Sequence, residues 1–413
     1  MRNVWSQRPL RFIFIANLVS MVGSGMNTAA VTWSILQSTH SEVALGTLVA
    51  LQTLPAVLLL PFSGVIIDRE DRRHLVMALD AGRAIIIVLV AFLVFTHRVH
   101  VWHLYAMNVL VALGFWMFWP TVTALIQELT PQKELVGSNS LLMAGVQGGW
   151  VLAGSVVGFM YNHIGLGGVL LIDIATYVVS FCFYFGVRKG RHVVARDAGA
   201  EPPNPDAWKQ YWHELREGLN LIRDDRHILL IGLASALFTT AMLTQGVITA
   251  PLSDRILHAG AAGYGWLNAG WAIGAFLSVT YALQLIQRVN ARWAATACLG
   301  VLAACLYVLP YSAVLAISVL LYFVMGSGRG LGGISINSEM MELVPQRFMG
   351  RVQNTFYFIG TGLQIITALL VGSISHRVGL KYGFAIIGTL YVLACITAAT
   401  AAMHGRQADR ASA

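Results

Sequence analysis

Long apolar runs separated by short polar stretches pattern the chain from end to end. A helix needs about 20 mostly apolar residues to cross the hydrocarbon core of a bilayer. Twelve runs meet that measure, over residues 10–38, 42–67, 73–96, 101–129, 136–162, 167–187, 227–252, 262–287, 292–310, 313–341, 350–376 and 380–403. The pattern predicts an all-α membrane protein of twelve transmembrane helices. The first run follows Arg2, Arg8 and Arg11. It is too long for a secretion signal and lacks a small-residue cleavage site, so it reads as an uncleaved first helix.

The longest polar interval, 188–226, divides the chain into a six-helix bundle over 1–187, a linker, and a second six-helix bundle over 227–413. Pro202, Pro203 and Pro205 stand among small and charged residues in the linker, a composition that buries no core. Beyond them Trp208, Tyr211, Trp212, Leu215, Leu219 and Ile222 recur at helical spacing. That face suits an amphipathic helix, either lying on the membrane surface or packed on neighbouring loops. The halves also echo each other. Glu128-Leu129-Thr130-Pro131-Gln132-Lys133 after the fourth run returns as Glu342-Leu343-Val344-Pro345-Gln346-Arg347 after the tenth, the mark of a duplicated bundle.

Charge fixes the expected orientation. Of the 27 Lys and Arg, 21 fall on one side when both termini are placed in the cytoplasm, and four fall on the other. The remaining two, Arg83 and Arg329, lie within runs. Cytoplasmic loops carry such an excess, so both termini are expected inside. Composition agrees: 57% of residues are hydrophobic, 11% are charged, and mean hydropathy is +0.67. The net charge of +8 is dispersed between apolar runs, which fits lipid headgroups and not a nucleic-acid surface. Cys182, Cys298, Cys305 and Cys395 lie in apolar runs with no CxxC pair and read as buried fillers. His97, His100 and His103 have a spacing that can chelate a metal on a helix, but no acid or cysteine accompanies them, and a hydrated loop is the expectation. With no HExxH, GxSxG or phosphate-binding glycine loop, the chain is read as non-enzymatic, with no cofactor and no metal.

Between the second and third runs stands Gly64-Val65-Ile66-Ile67-Asp68-Arg69-Glu70-Asp71-Arg72-Arg73, with Asp80 and Arg83 following. This string resembles the loop motif G-x-x-x-D-[RK]-x-x-[RK]-[RK] of the major facilitator superfamily, with Asp71 where the family usually has glycine. The second copy, Gln287-Arg288-Val289-Asn290-Ala291-Arg292, is degenerate. Asp68-Arg69-Glu70-Asp71-Arg72-Arg73, Ile172-Asp173-Ile174 and Glu214-Leu215-Arg216-Glu217-Gly218-Leu219 look like the macrolide-efflux and enterobactin-exporter group. Gly145, Gly154 and Gly158 are similar to the glycine-rich antiporter motif, although Ser155 stands where that motif has proline. The resemblance implies two pseudo-symmetric six-helix bundles and alternating access. It implies a conformational latch at Gly64, Asp68, Arg69, Arg72 and Arg73, where a carboxylate against a helix N-terminus holds one state. Arg69, Arg72 and Arg73 could instead only enforce topology. Asp80 and Arg83 are grouped with the latch or pair with each other on one helix face.

Polar residues inside the runs carry the candidate chemistry, because a charge at the bilayer centre costs about 2.5–3.5 kcal/mol on insertion scales. Arg329, in Gly326-Ser327-Gly328-Arg329-Gly330, either meets an anionic or electron-rich part of a substrate or forms an internal ion pair. Asp173 is the proton-coupling candidate, the alternative being a hydrated or capping carboxylate near the outer surface. Ser24, Asn27, Phe115, Trp116, Trp119, Gln147, Trp150, Gln245, Asn268, Trp271 and Gln364 complete the expected cavity set. Their alternative is ring packing and interhelical hydrogen bonding.

The reading is a monomeric, proton-coupled exporter of small amphiphilic compounds, drug-like or siderophore-like, in a bacterial-type cytoplasmic membrane. Its partners are a small-molecule substrate, protons and the bilayer. Uptake, movement of a lipid-like substrate and a non-transporting sensor on the same fold are the alternatives.

Overall fold

The computed structural model describes residues 7–130, 135–187, 216, 220–289, 291–345 and 348–411. Among them α1 spans Arg8–Thr39, α2 Glu42–Arg69, α3 Arg72–Phe95 and α4 Val101–Leu129. Leu135–Gly186 runs as one 52-residue helix broken at Gly165 (φ 61°, ψ −172°), which separates α5 (135–164) from α6 (166–186). A positive φ is open to glycine at little cost, so this residue ends one helix and starts the next. The break falls between the fifth and sixth expected runs.

In the second half α7 covers Arg226–Ile256. The expected end at 252 moves outward because the helix passes Pro251 and closes with a π-helical turn over Leu252–Ile256. Helices α8 (Gly260–Val289), α9 (Ala291–Val308), α10 (Leu315–Leu343), α11 (Met349–Arg377) and α12 (Leu380–Ala411) follow. Among the described residues ten helices are long and apolar enough to cross a membrane. Phe92, Phe185 and Leu320 are exposed, as side chains facing lipid must be. The linker aromatics Trp208, Tyr211 and Trp212 lie outside the described residues, while Ile222 is buried beside Ile228, Val352 and Phe356. Cys298 and Cys305 are buried as expected, but Cys182 is exposed, because its position on α6 turns away from the packed face.

Packing divides the described residues into two compact units. The first draws on Met1–His40, Leu51–Ala200 and Gly260–Ala269; the second on Ser41–Ala50, Glu201–Ala259 and Gly270–Ala413. In the first unit α1 packs along α6, and Gly23 makes the approach possible: a Cβ there would collide with Thr176 and lie 2.5 Å from the Asp173 carboxylate. In the second unit the start of α2 lies on α11, with Gly46 against the backbone of Ala368 and Gly372.

Candidate functional site

The first unit holds a row of buried polar groups on the facing sides of α1, α3 and α6. Asp173, Tyr177, Ser180 and Tyr184 recur at intervals of four, three and four, so they share one face of α6. Asp173 is fully buried. Its carboxylate accepts from Asn27 Nδ2 at 2.6 Å and from Thr176 Oγ1 at 3.4 Å, both neutral donors. One turn further, the hydroxyls of Ser24 and Tyr177 lie 2.9 Å apart. Asp80 is also fully buried, accepting from Ser180 Oγ at 2.6 Å and from the Arg83 guanidinium. At the far end Asn17 Nδ2 donates to Tyr184 Oη at 2.9 Å.

Arg83 sits between two rings. Its guanidinium carbon is 4.5 Å from the centroids of both Phe118 and Tyr177. Gly114 leaves space for its stem, since a Cβ there would be 2.8 Å from Arg83 Cγ. Two carboxyl groups and one guanidinium thus share an interior from which water is shut out. With both carboxyls ionised the set carries one net negative charge, which one added proton would cancel. In this structure α1 covers the Asp173 carboxylate.

The loop motif acts as helix-terminal chemistry where its side chains are described. Asp71 caps the N-terminus of α3, accepting from the backbone N–H of Arg73 at 3.0 Å and of His74 at 3.2 Å. Arg73 donates to the carbonyls of Tyr184 and Phe185 at the C-terminus of α6, where the helix dipole favours a cation. Arg72 reaches the Ala124 carbonyl at 3.2 Å and Glu128 at 3.6 Å on α4. The side chains of Gly64, Asp68, Arg69 and Gln147 lie outside the described residues.

Among the other cavity candidates in the first unit, Ser24 and Asn27 turn toward α6 as described. Trp116 donates to the Gln52 carbonyl at 3.3 Å, and Phe115 and Trp119 pack on an apolar core that includes Phe118 and Val122. Trp150 is exposed, and Asn268 donates to the Tyr264 carbonyl at 2.8 Å. His103 Nδ1 accepts from the backbone N–H of His100 at 2.9 Å, so this histidine caps the start of α4.

Among the described residues of the second unit, charged side chains gather around Arg329, Glu339 and Glu42. Arg329 on α10 places its guanidinium 4.6 Å from the Trp271 ring, with Nε 2.8 Å from Met242 Sδ. Glu339, buried on α10, faces His227 at 3.2 Å and Arg292 at 4.0 Å. Glu42, buried at the start of α2, faces Arg255 at 2.7 Å and His376 at 3.1 Å. Gln364 is buried with neither amide atom hydrogen-bonded, and Gln245 marks the joint between the first two segments of α7.

Sequence reasoning did not find Tyr177, Ser180, Tyr184 or Asn17. Their helical spacing from Asp173, and from Asn27 on α1, is the signal that could have found them. Met242, Glu42 and Glu339 had no such local signal.

Comparison with known proteins completes the picture. The family model described as Major Facilitator Superfamily matches residues 13–361. The chain is 22% identical over 403 residues to the uncharacterized MFS-type transporter YkuC of Bacillus subtilis, covering 93% of this chain and 91% of that protein. It is 22% identical over 232 residues to macrolide efflux protein A of Streptococcus pyogenes, covering 55% of this chain and 54% of that one. Among solved structures, the nucleoside transporter NupG aligns with a TM-score of 0.74 at 12% identity, over 96% of this chain and 99% of the other. A peptide transporter of the POT family aligns with a TM-score of 0.74 at 15% identity, over 96% and 95%.

Proposed function

Because the chain belongs to the major facilitator superfamily and is an integral membrane transporter, we propose that it exports a small amphiphilic compound in exchange for protons. It works by alternating access as a monomer in a bacterial cytoplasmic membrane, with both termini inside. The observation that carries the proton step is the buried set of Asp173, Asp80 and Arg83. Leaving a net charge in such an interior costs several kcal/mol. Arg83 hydrogen-bonds Asp80 and acts on Asp173 only through space, while the hydrogen-bond donors to Asp173 are the neutral Asn27 and Thr176. Asp173 therefore takes the exchangeable proton, and a change of state that wets this end of α1 and α6 releases it.

The outward direction is supported by the partial likeness to macrolide efflux protein A and by the glycines of α5. The inward direction draws on Ser155, which replaces the proline of the exporter motif. The test is reconstitution into proteoliposomes with a luminal pH dye, followed by a panel of amphiphilic compounds. At least one compound is expected to move protons in a direction that gives exchange, with collapse on adding an uncoupler. Asp173→Asn is expected to abolish compound-driven proton movement. Flux indifferent to the uncoupler, or unchanged by Asp173→Asn, would overturn the proton assignment. No flux with any compound would favour a sensor.

A further inference from the structure

Beyond the proton network, the second unit contains a cavity of about 110 Å³ lined by Phe238, Thr239, Gly333, Ile336, Asn337 and Met340, with Ser235 and Gln353 at its edge. Residues 235, 238, 239 and 242 fall on one face of α7, and 329, 333, 336, 337 and 340 fall on one face of α10. The contact between Arg329 and Met242 therefore lies on the same two faces that wall the cavity, one turn beyond it. The Phe238 ring lies 3.8 Å from where a Cβ would stand on Gly332 or Gly333, an ordinary van der Waals contact. Asn337 and Gln353, joined by a hydrogen bond, are exposed at the other end.

The order along this groove is a polar mouth, an apolar middle and a cation. Arg329 has five N–H donors. Its contacts are a thioether sulfur and the face of an indole, the buried Tyr391 hydroxyl is its electrostatic neighbour, and among the described residues no carboxylate pairs with it. An arginine at mid-span ordinarily finds an acid or a backbone carbonyl. Met242 and Trp271 hold this one in place without neutralising it. We infer that Arg329 is the seat for an anionic group, a carboxylate or phosphate, carried by the transported amphiphile, whose apolar body lies along Phe238 and Ile336. The inference rests on the transporter reading and names its substrate class: acidic amphiphiles, with basic ones repelled by the fixed cation.

The same chemistry could hold a lipid phosphate, and the test separates the two. The full chain in phosphatidylcholine nanodiscs is dialysed to equilibrium against 1-naphthylacetate, 1-naphthylacetamide and 1-naphthylethylammonium, which share a ring and differ in charge. Wild type is expected to bind the acid at least tenfold more tightly than the amide, and the ammonium most weakly. Arg329→Gln is expected to erase the preference while leaving amide binding in place, and Arg329→Lys to keep part of it. Met242→Glu puts a carboxylate beside an intact Arg329 and is expected to erase it too, which guards against a poorly folded Arg329→Gln.

Equal binding of acid and amide by wild type, including no binding of either, overturns the inference, as does a preference that survives both Arg329→Gln and Met242→Glu. Phosphatidylglycerol that co-purifies with wild type, is lost in Arg329→Gln and cannot be displaced by the acid would assign the seat to lipid and overturn it equally. The readout is binding and not flux, so a failure here leaves the proton-exchange reading untouched, and the reverse also holds.

Discussion

Arg83 shows how one residue can be costly to bury and costly to remove alone. Its charge is answered by Asp80 and by the faces of Phe118 and Tyr177, and its stem fits only because position 114 is glycine. Removing one partner of a buried pair leaves the other uncompensated, at about 3–5 kcal/mol, whereas replacing both by apolar residues is often neutral. Arg83→Gln is therefore expected to lower stability by about that amount in denaturant unfolding from detergent micelles. Arg83→Met with Asp80→Leu is expected to recover most of the loss. A double variant as unstable as the single one would show that the rings and glycine, and not the charge balance, dominate the site. The i, i+3 spacing made this pair legible in the sequence. The aromatic sandwich was not, because Phe118 and Tyr177 come from two other helices whose rotation no local pattern reports.

At the scale of elements, the helix ends repay attention. Asp71 occupies the position where the superfamily motif usually has glycine, and the structure gives the reason: it is the N-cap of α3. Glycine and aspartate are both tolerated caps, and alanine is not. Asp71→Ala is expected to cost about 1 kcal/mol and Asp71→Gly only a few tenths. Both are read from hydrogen exchange in the first turn of α3, and equal protection in the two variants would refute the cap assignment. The break at Gly165 was legible as the gap between two apolar runs. The outward extension of α7 past Pro251 was not, since a proline after an apolar run reads as a stop and the π turn that accommodates it has no sequence mark.

Across the whole molecule, the run of apolar segments and the duplicated loop were enough to give the fold, because a membrane reduces the allowed elements to helices or closed barrels. The sites were less legible. Glu42 meets His376 across 334 positions, and Asn27 meets Asp173 across 146; such pairs exist only after the helices pack. Asp173 itself was visible as a lone acid in an apolar run, but its depth was not, because that depends on Gly23 letting α1 cover it. Proton exchange at this carboxyl requires no substrate to be known. The decisive measurement is the transient current that a pH step evokes from proteoliposomes adsorbed on a solid-supported membrane, in the absence of any transported compound. Wild type is expected to give a charge displacement that Asp173→Asn abolishes and Arg329→Gln leaves intact. A displacement of the same size in wild type and Asp173→Asn would contradict the assignment of the proton to Asp173.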